Sequence, residues 1–334
     1  MSAIQIAGGG PAGAAAAITA LREGASVSLF ERARAPRHKV CGEFIAPEAC
    51  RVLESLGVLP EVLRLNPTRI RRCLLQFARG SKKWALAEPA LGLSRLALDR
   101  LMLEKAAALG AQVFRGEIFQ PAFKRHTVVM AHGRPGGARK GGRFFGFKAH
   151  FTGPADDVVA LYFLPFGYVG ISAVEGGYTN VCGLAREEAL LRCGFDIDEF
   201  LATEPAVAER LQPLTRRMEW IKSGPLSFSR AVPALGDDDH LYPAGDALGF
   251  VDPFTGSGIL NALFTGRLAG AAAACQLPAR DYLRNCASLL NRPFAISTAM
   301  RAVWLSGMSH LAYLIPGQLL YRLTRPQLAG LADA

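Results

Sequence analysis

Residues 3–31, AIQIAGGGPAGAAAAITALREGASVSLFE, set out a short apolar strand, a glycine turn, an alanine-rich helix, a break at Gly24 and a second apolar strand ending in an acid. That order is a βαβ unit. Gly8, Gly10 and Gly13 stand in GxGxxG spacing. The first serves the tight turn, the second lets the backbone approach a pyrophosphate, and the third lets the helix pack closely on the sheet. The helix N-terminus then offers unpaired N–H groups and a partial positive charge to phosphates. Glu31, about twenty residues on, is placed to accept hydrogen bonds from an adenosine ribose. A dinucleotide-binding unit follows, and the fingerprint alone leaves NAD and FAD both open.

At 334 residues, half of them hydrophobic and 20% charged, the chain can bury a sizeable core in one large or two interlocked domains. A mean hydropathy of +0.19 is greasier than an average soluble enzyme. The formal charge of +10 would suit nucleic acid, an anionic membrane surface or an acidic ligand. Its basic residues, mostly Arg, are scattered and form no stripe interleaved with aromatics, which excludes a nucleic-acid partner. Seven cysteines with no CxxC pair read as reduced thiols rather than zinc ligands or disulfides, and no metal site is expected. The N-terminus opens directly into a strand without a basic leader, so a cytoplasmic location is expected.

Three segments select FAD. GGGPAG at 8–13, PRHKVCGE at 36–43 and YPAGDALGFVDPFTGSGILNALFTGRLAG at 242–270 resemble, in order and spacing, the flavoprotein family of geranylgeranyl reductases and para-hydroxybenzoate hydroxylase-type monooxygenases. The resemblance covers nearly the whole chain and is closest to the geranylgeranyl-reductase branch, through KVCG, DPFTG and the run SRLALDRLMLEKAAALGAQV at 94–113. It implies FAD, with NAD(P)H as electron donor.

The resemblance also implies the binding residues. Gly8, Gly10, Pro11, Ala12 and Gly13 form the pyrophosphate turn, Glu31 and Arg32 follow the second strand, and Cys41 and Gly42 lie by the flavin. Arg95 packs near the pyrophosphate or ring, or else makes a salt bridge at its helix start. Asp246, after Gly245, faces the ribityl chain, while Gly256, Ser257 and Gly258 lead into a helix over Ile259 to Ala274 whose dipole would stabilise negative charge on the reduced ring. Cys41, Pro253, Thr255 and Gly256 are the candidates nearest the chemistry, Cys41 reading more readily as a packed thiol than as a nucleophile. Arg37 and Lys39 flank the same loop. One departure stands out: in VVMAHGRPGGARK at 128–140, His132 occupies the place of an Asp that touches cofactor in family members.

The expected fold is α/β, a Rossmann-like FAD-binding domain interleaved with an antiparallel β-sheet substrate domain, followed by a helical C-terminus. Residues 1–67, 92–141 and 231–280 are assigned to the first, 68–91 and 142–230 to the second, and 281–334 to the last. The 142–230 stretch reads as strands, with Phe145, Phe147, Ala149 and Phe151 on one face and Lys148 and His150 on the other. Residues 302–321 contain no Asp, Glu, Lys or Arg, and suit a helix that caps a pocket or makes peripheral contact with an anionic membrane.

The expected function is that of an FAD-dependent monooxygenase hydroxylating an apolar aromatic or polyketide-like small molecule in a dry pocket. Two alternatives stand beside it, a geranylgeranyl-reductase-like reductase of an isoprenoid or lipid double bond and a flavin-binding protein without turnover. The Trp-x-Trp-x-Ile-Pro signature of flavin-dependent halogenases is absent.

Overall fold

In the computed structural model, which describes residues 3–78, 80–120, 126–134, 143–229, 231–232, 239–306 and 315–326, the strand Ala3–Ala7 lies at the centre of a parallel sheet. Ser26–Glu31 and Gln112–Arg115 follow on one side, and Thr127–Met130 and Leu241–Pro243 on the other. Ile4 stands opposite Val27 and Ile6 opposite Leu29, so these four share one face of the sheet, and all are buried. The helix Pro11–Arg22 supplies the crossover and buries nearly all of its small side chains. A second helix, Gly258–Ala274, rides directly on it. A Cβ on Gly266 would sit 2.2 Å from the Ala12 carbonyl, and one on Gly270 2.4 Å from that of Ala16, so these glycines set the close approach.

The other layer is a mixed, largely antiparallel sheet. Its order runs Thr215–Arg216, Phe144–Thr152, Tyr178–Arg186, Gly167–Ala173, Val158–Leu164, Thr68–Phe77, Gly80–Gly92 and Phe44–Ile45, with Ile221–Leu226 also pairing Phe144–Thr152. The α/β architecture read from the sequence, with a Rossmann-like sheet, a separate strand-rich layer and a helical C-terminus, is therefore present.

The long helix Ala279–Leu305 ties the layers together. Its Arg301 pairs with Asp252 at 2.7 Å, and its Trp304 indole donates to the Leu164 carbonyl at 3.0 Å. Of the uncharged stretch 302–321, residues 307–314 lie outside the described residues, and the part that follows forms a short helix, Gly317–Leu323, packed on the strand Gly80–Gly92. No helix among the described residues is long and apolar enough to cross a membrane.

Candidate active site

The glycine turn opens on a large cavity. Gly8 takes φ +107°, and a Cβ on Gly13 would fall 1.8 Å from the Gly8 carbonyl, so the turn closes tightly and Gly13 stands behind it. Gly10 is different: a Cβ there would meet only Arg95 Nη2, at 3.6 Å, and otherwise point into open space. The cavity is about 870 Å³, at the upper end of the roughly 300–1,000 Å³ usual for ligand sites. Gly8, Gly10, Pro11, Ala12, Glu31 and Arg32 line one end. The Glu31 carboxylate is fixed there by amides of Gly9 and Ala33, both at 2.8 Å, which leaves further lone pairs for ribose hydroxyls.

Arg95 makes the salt bridge read for its helix start and stands beside the glycine turn. It grips Asp99 with two bonds of 2.7 and 2.9 Å while its guanidinium reaches the glycine turn. Lys39 also binds Asp99, at 2.8 Å. Two cations share one carboxylate, leaving an excess positive charge beside Gly10 where a pyrophosphate would lie. Although burial opposes ionisation of Asp99, the two cations hold its carboxyl below the usual range.

Farther along the same cavity lie Cys41, Gly42, Gly245, Asp246, Pro253, Gly256 and Gly258. Burial keeps the Cys41 thiol above its ordinary pKa, against the pull of Arg95, so it is a packed thiol and not a ready thiolate. Ser257 stands behind the wall, its hydroxyl 2.8 Å from that of Thr255. His132 is exposed at the rim, and Arg134, which the sequence reading passed over, lies beside Phe250 with its charge opposing the burial of Asp246.

These residues fit FAD: a glycine turn with space beyond Gly10, a fixed acid at the adenosine end, and a buried carboxyl on the cavity wall farther along. Burial raises the pKa of Asp246, with Arg134 and Arg95 opposing. The turn that carries Asp246 is held by its own backbone, Gly245 N–H donating to Thr265 Oγ1 at 2.8 Å. Asp246→Ala should therefore leave the fold intact and weaken FAD binding roughly ten- to hundred-fold, the worth of a hydrogen bond to a charged group. Unchanged affinity by flavin fluorescence titration would make Asp246 a structural residue only.

A buried ionic cluster backs this cavity. Glu43, fully buried at φ +54°, accepts from Lys148, from the Arg95 amide at 2.7 Å, and pairs with His150 at 2.7 Å. Lys148 and His150 occupy the face of their strand opposite Phe147 and Ala149, and both are buried. Burial alone would raise the Glu43 pKa; the His150 hydrogen bond and the Lys148 charge more than offset it and hold it low. His38 lies edge-on to His150, and burial lowers its pKa, assisted by Lys148 and His150. Ligand atoms of His38, Glu43 and His150 fall within 4.8 Å of one another. The Lys148 ammonium, fully buried on the same carboxylate, already supplies the cation there, so the arrangement is an ion-pair network rather than a site for a dication.

The second cavity, about 120 Å³, is walled mainly by Leu75, Trp84, Leu161, Phe163, Phe254 and Met300. It meets the first along Gly42, Phe44, Tyr168, Cys182, Pro253 and Gly256, which line both. Thr255, expected near the chemistry, opens onto this second cavity. Burial pushes the Tyr168 hydroxyl well above its ordinary pKa, so it keeps its proton at the junction.

Asp252, just before Pro253, is buried with Oδ1 unpartnered among the described residues. Burial pushes its pKa up to about 6, with Arg301 opposing. The native state thus holds a proton that the unfolded chain releases near pH 4, and the stability this supplies below pH 4 is lost as pH rises through about 6, by about 3 kcal/mol. Asp252→Asn removes the dependence. The difference in melting temperature, variant minus wild type, should rise between pH 4 and pH 6; a flat or falling difference would mean that the carboxylate stays ionised on Arg301.

The FAD binding domain family matches residues 1–138. "Conditioned medium factor receptor 1" of Dictyostelium discoideum is 24% identical over 82% of this chain, which spans 63% of that relative's length. The digeranylgeranylglycerophospholipid reductase of Methanoculleus marisnigri is 30% identical over 83% of this chain and 78% of its own. Among solved structures, a flavoprotein/dehydrogenase from Cytophaga hutchinsonii superposes with a TM-score of 0.78 at 16% identity, over 97% of this chain and 91% of that one, a likeness of fold. The glycine turn, the fixed acid and the paired cavities, together with similarity running through both layers, place this chain in the geranylgeranyl reductase and para-hydroxybenzoate hydroxylase-type family of FAD-dependent oxidoreductases.

Proposed function

We propose that this chain reduces a carbon–carbon double bond of an apolar, isoprenoid-like molecule, with NAD(P)H supplying the electrons to FAD. The observation that carries this reading is the apolar second cavity, which shares one wall with the larger cavity. Once reduced, bound FAD would supply a hydride to one alkene carbon. The chain's part is to exclude water, hold the alkene against the wall and deliver a proton to the other carbon. Phe163, Phe254 and Trp304 pack edge to face around the junction and keep it dry. Tyr168, whose ring lines both cavities, carries the hydroxyl placed at the junction to donate the proton to the second carbon. The name of the Methanoculleus relative supports a prenyl lipid as the substrate class.

Hydroxylation of an apolar aromatic would use the same cavity and the same cofactor, and the product separates the two. FAD-loaded protein, reduced without oxygen and given a C20 polyunsaturated isoprenoid alcohol, should be reoxidised by it, with two hydrogens gained per double bond by mass spectrometry. No reoxidation without oxygen, together with gain of one oxygen atom in air, would establish the hydroxylase instead.

A further inference from the structure

The larger cavity continues well beyond its junction with the apolar one. Tyr168 stands directly opposite Leu184, Leu184 opposite Gly146 and Gly146 opposite Ser223, so these four form one row across four strands and share a face of the sheet. All four line the cavity. Three strand spacings, about 14 Å, separate the ends of the row. The row is thus a floor that runs from the junction at Tyr168 to a far arm at Ser223. Val40 covers it midway, where a Cβ on Gly146 would come within 2.9 Å of the valine side chain.

Arg134 is fixed in that arm. It donates to the Ser223 hydroxyl at 3.0 Å, and its guanidinium carbon stands 4.8 Å from the centre of the Phe250 ring. Phe250 is in turn stacked on Phe228 at 5.4 Å, so the cation rests on a wall two rings thick. Burial works against the Arg134 charge, with the Asp246 carboxyl in support. Lys222, next to Ser223 on its strand, is turned to the other face and donates to the Phe195 carbonyl at 2.6 Å. The cations suited to the cofactor's own pyrophosphate stand elsewhere, Arg95 and Lys39 sharing Asp99 beside Gly10. Arg134 is therefore a second phosphate-matching group in the same cavity, at the opposite end of the floor from the junction. The junction side is taken by the apolar substrate, which leaves the arm as the approach for an electron donor.

We propose that the arm at Arg134 and Ser223 docks the pyridine nucleotide that reduces the cofactor, with one of its phosphates on the Arg134 guanidinium. The nucleotide breaks its own C4–H bond, passes that hydrogen with both bonding electrons to FAD and leaves as NAD(P)+, so the step needs no other reactant. This inference deepens the reading above and rests on it for the class of donor alone.

The test follows anaerobic bleaching of FAD-loaded protein by NADPH and by NADH, with no alkene present. Wild type should be bleached by at least one of them at a rate that saturates. Arg134→Met should raise the half-saturating concentration about tenfold or more and weaken calorimetric binding of the oxidised nucleotide by a similar factor. The saturating rate, FAD content, melting temperature and bleaching by dithionite should stay unchanged. Arg134→Lys, which keeps the charge and guards against misfolding of the first variant, should retain part of the affinity. A loss confined to NADPH would put its 2′-phosphate on Arg134, and a loss shared with NADH would put the common pyrophosphate there. Unchanged half-saturation and binding in Arg134→Met would overturn the proposal, as would failure of both nucleotides to bleach wild type. Loss of FAD from folded Arg134→Met would also overturn it and assign the cation to the cofactor. Arg134-dependent bleaching, with no reoxidation of dithionite-reduced protein by an alkene, would leave this site standing and remove the reductase reading. Reoxidation by the alkene with bleaching indifferent to Arg134 would do the reverse.

Discussion

Gly10→Val is expected to give folded, colourless protein. In the ligand-free chain a side chain at this position meets only the end of Arg95, a flexible group 3.6 Å away, so folding has little reason to suffer. With FAD bound, the same volume is where the pyrophosphate must approach the backbone. The two requirements separate cleanly at Gly10 and not at its neighbours. A Cβ on Gly8 would lie 2.4 Å from the Ala131 carbonyl, and Gly13 is tighter still, so substitution there damages the fold itself. Flavin absorbance after gel filtration, set beside a thermal melt, checks the result. Yellow Gly10→Val protein with a wild-type melt would refute the pyrophosphate assignment.

Glu43→Ala should be the most destabilising single change at the site, by about 3–5 kcal/mol, because it strands the fully buried Lys148 ammonium without its counter-charge. His150 and the Arg95 amide lose their partner in the same step. The wild-type network also sets a pH dependence. Since the folded pKa of Glu43 is held below its ordinary value, its contribution is fully present above the unfolded value of about 4.3 and is lost as pH falls through the folded one. Wild type should therefore lose stability in acid through this group, and Glu43→Gln, already without the charge, should show a shallower loss. Chemical denaturation at a series of pH values measures both effects. A variant within 1 kcal/mol of wild type would mean that the cluster contributes far less than its burial implies.

The parts of this molecule legible in the sequence are those whose physics is local. Strand, glycine turn, helix and acid lie within residues 3–31, and each residue's role follows from its immediate neighbours, so Gly8, Gly10, Gly13 and Glu31 could be read directly. The helix after Ser257 could be read from its own small and apolar residues, but its packing on the fingerprint helix emerges only in the fold. Glu43 was passed over because its partners Lys148 and His150 stand 105 and 107 residues downstream. Their alternation with Phe147 and Ala149 marks a polar strand face, and nothing local says that another layer buries that face. Arg134 reads as one more basic residue in a basic chain. Only the fold, which sets it on Ser223 and Phe250, gives it a cavity to line.

The account turns on the flavin ring and the apolar cavity meeting at one wall, and the structure of the FAD-bound protein tests this directly. The adenosine should lie beside Glu31 and the isoalloxazine against Gly42, Tyr168, Cys182 and Gly256, with the apolar cavity opening onto its face. A ring seated elsewhere in the larger cavity, with that wall closed behind it, would contradict the account.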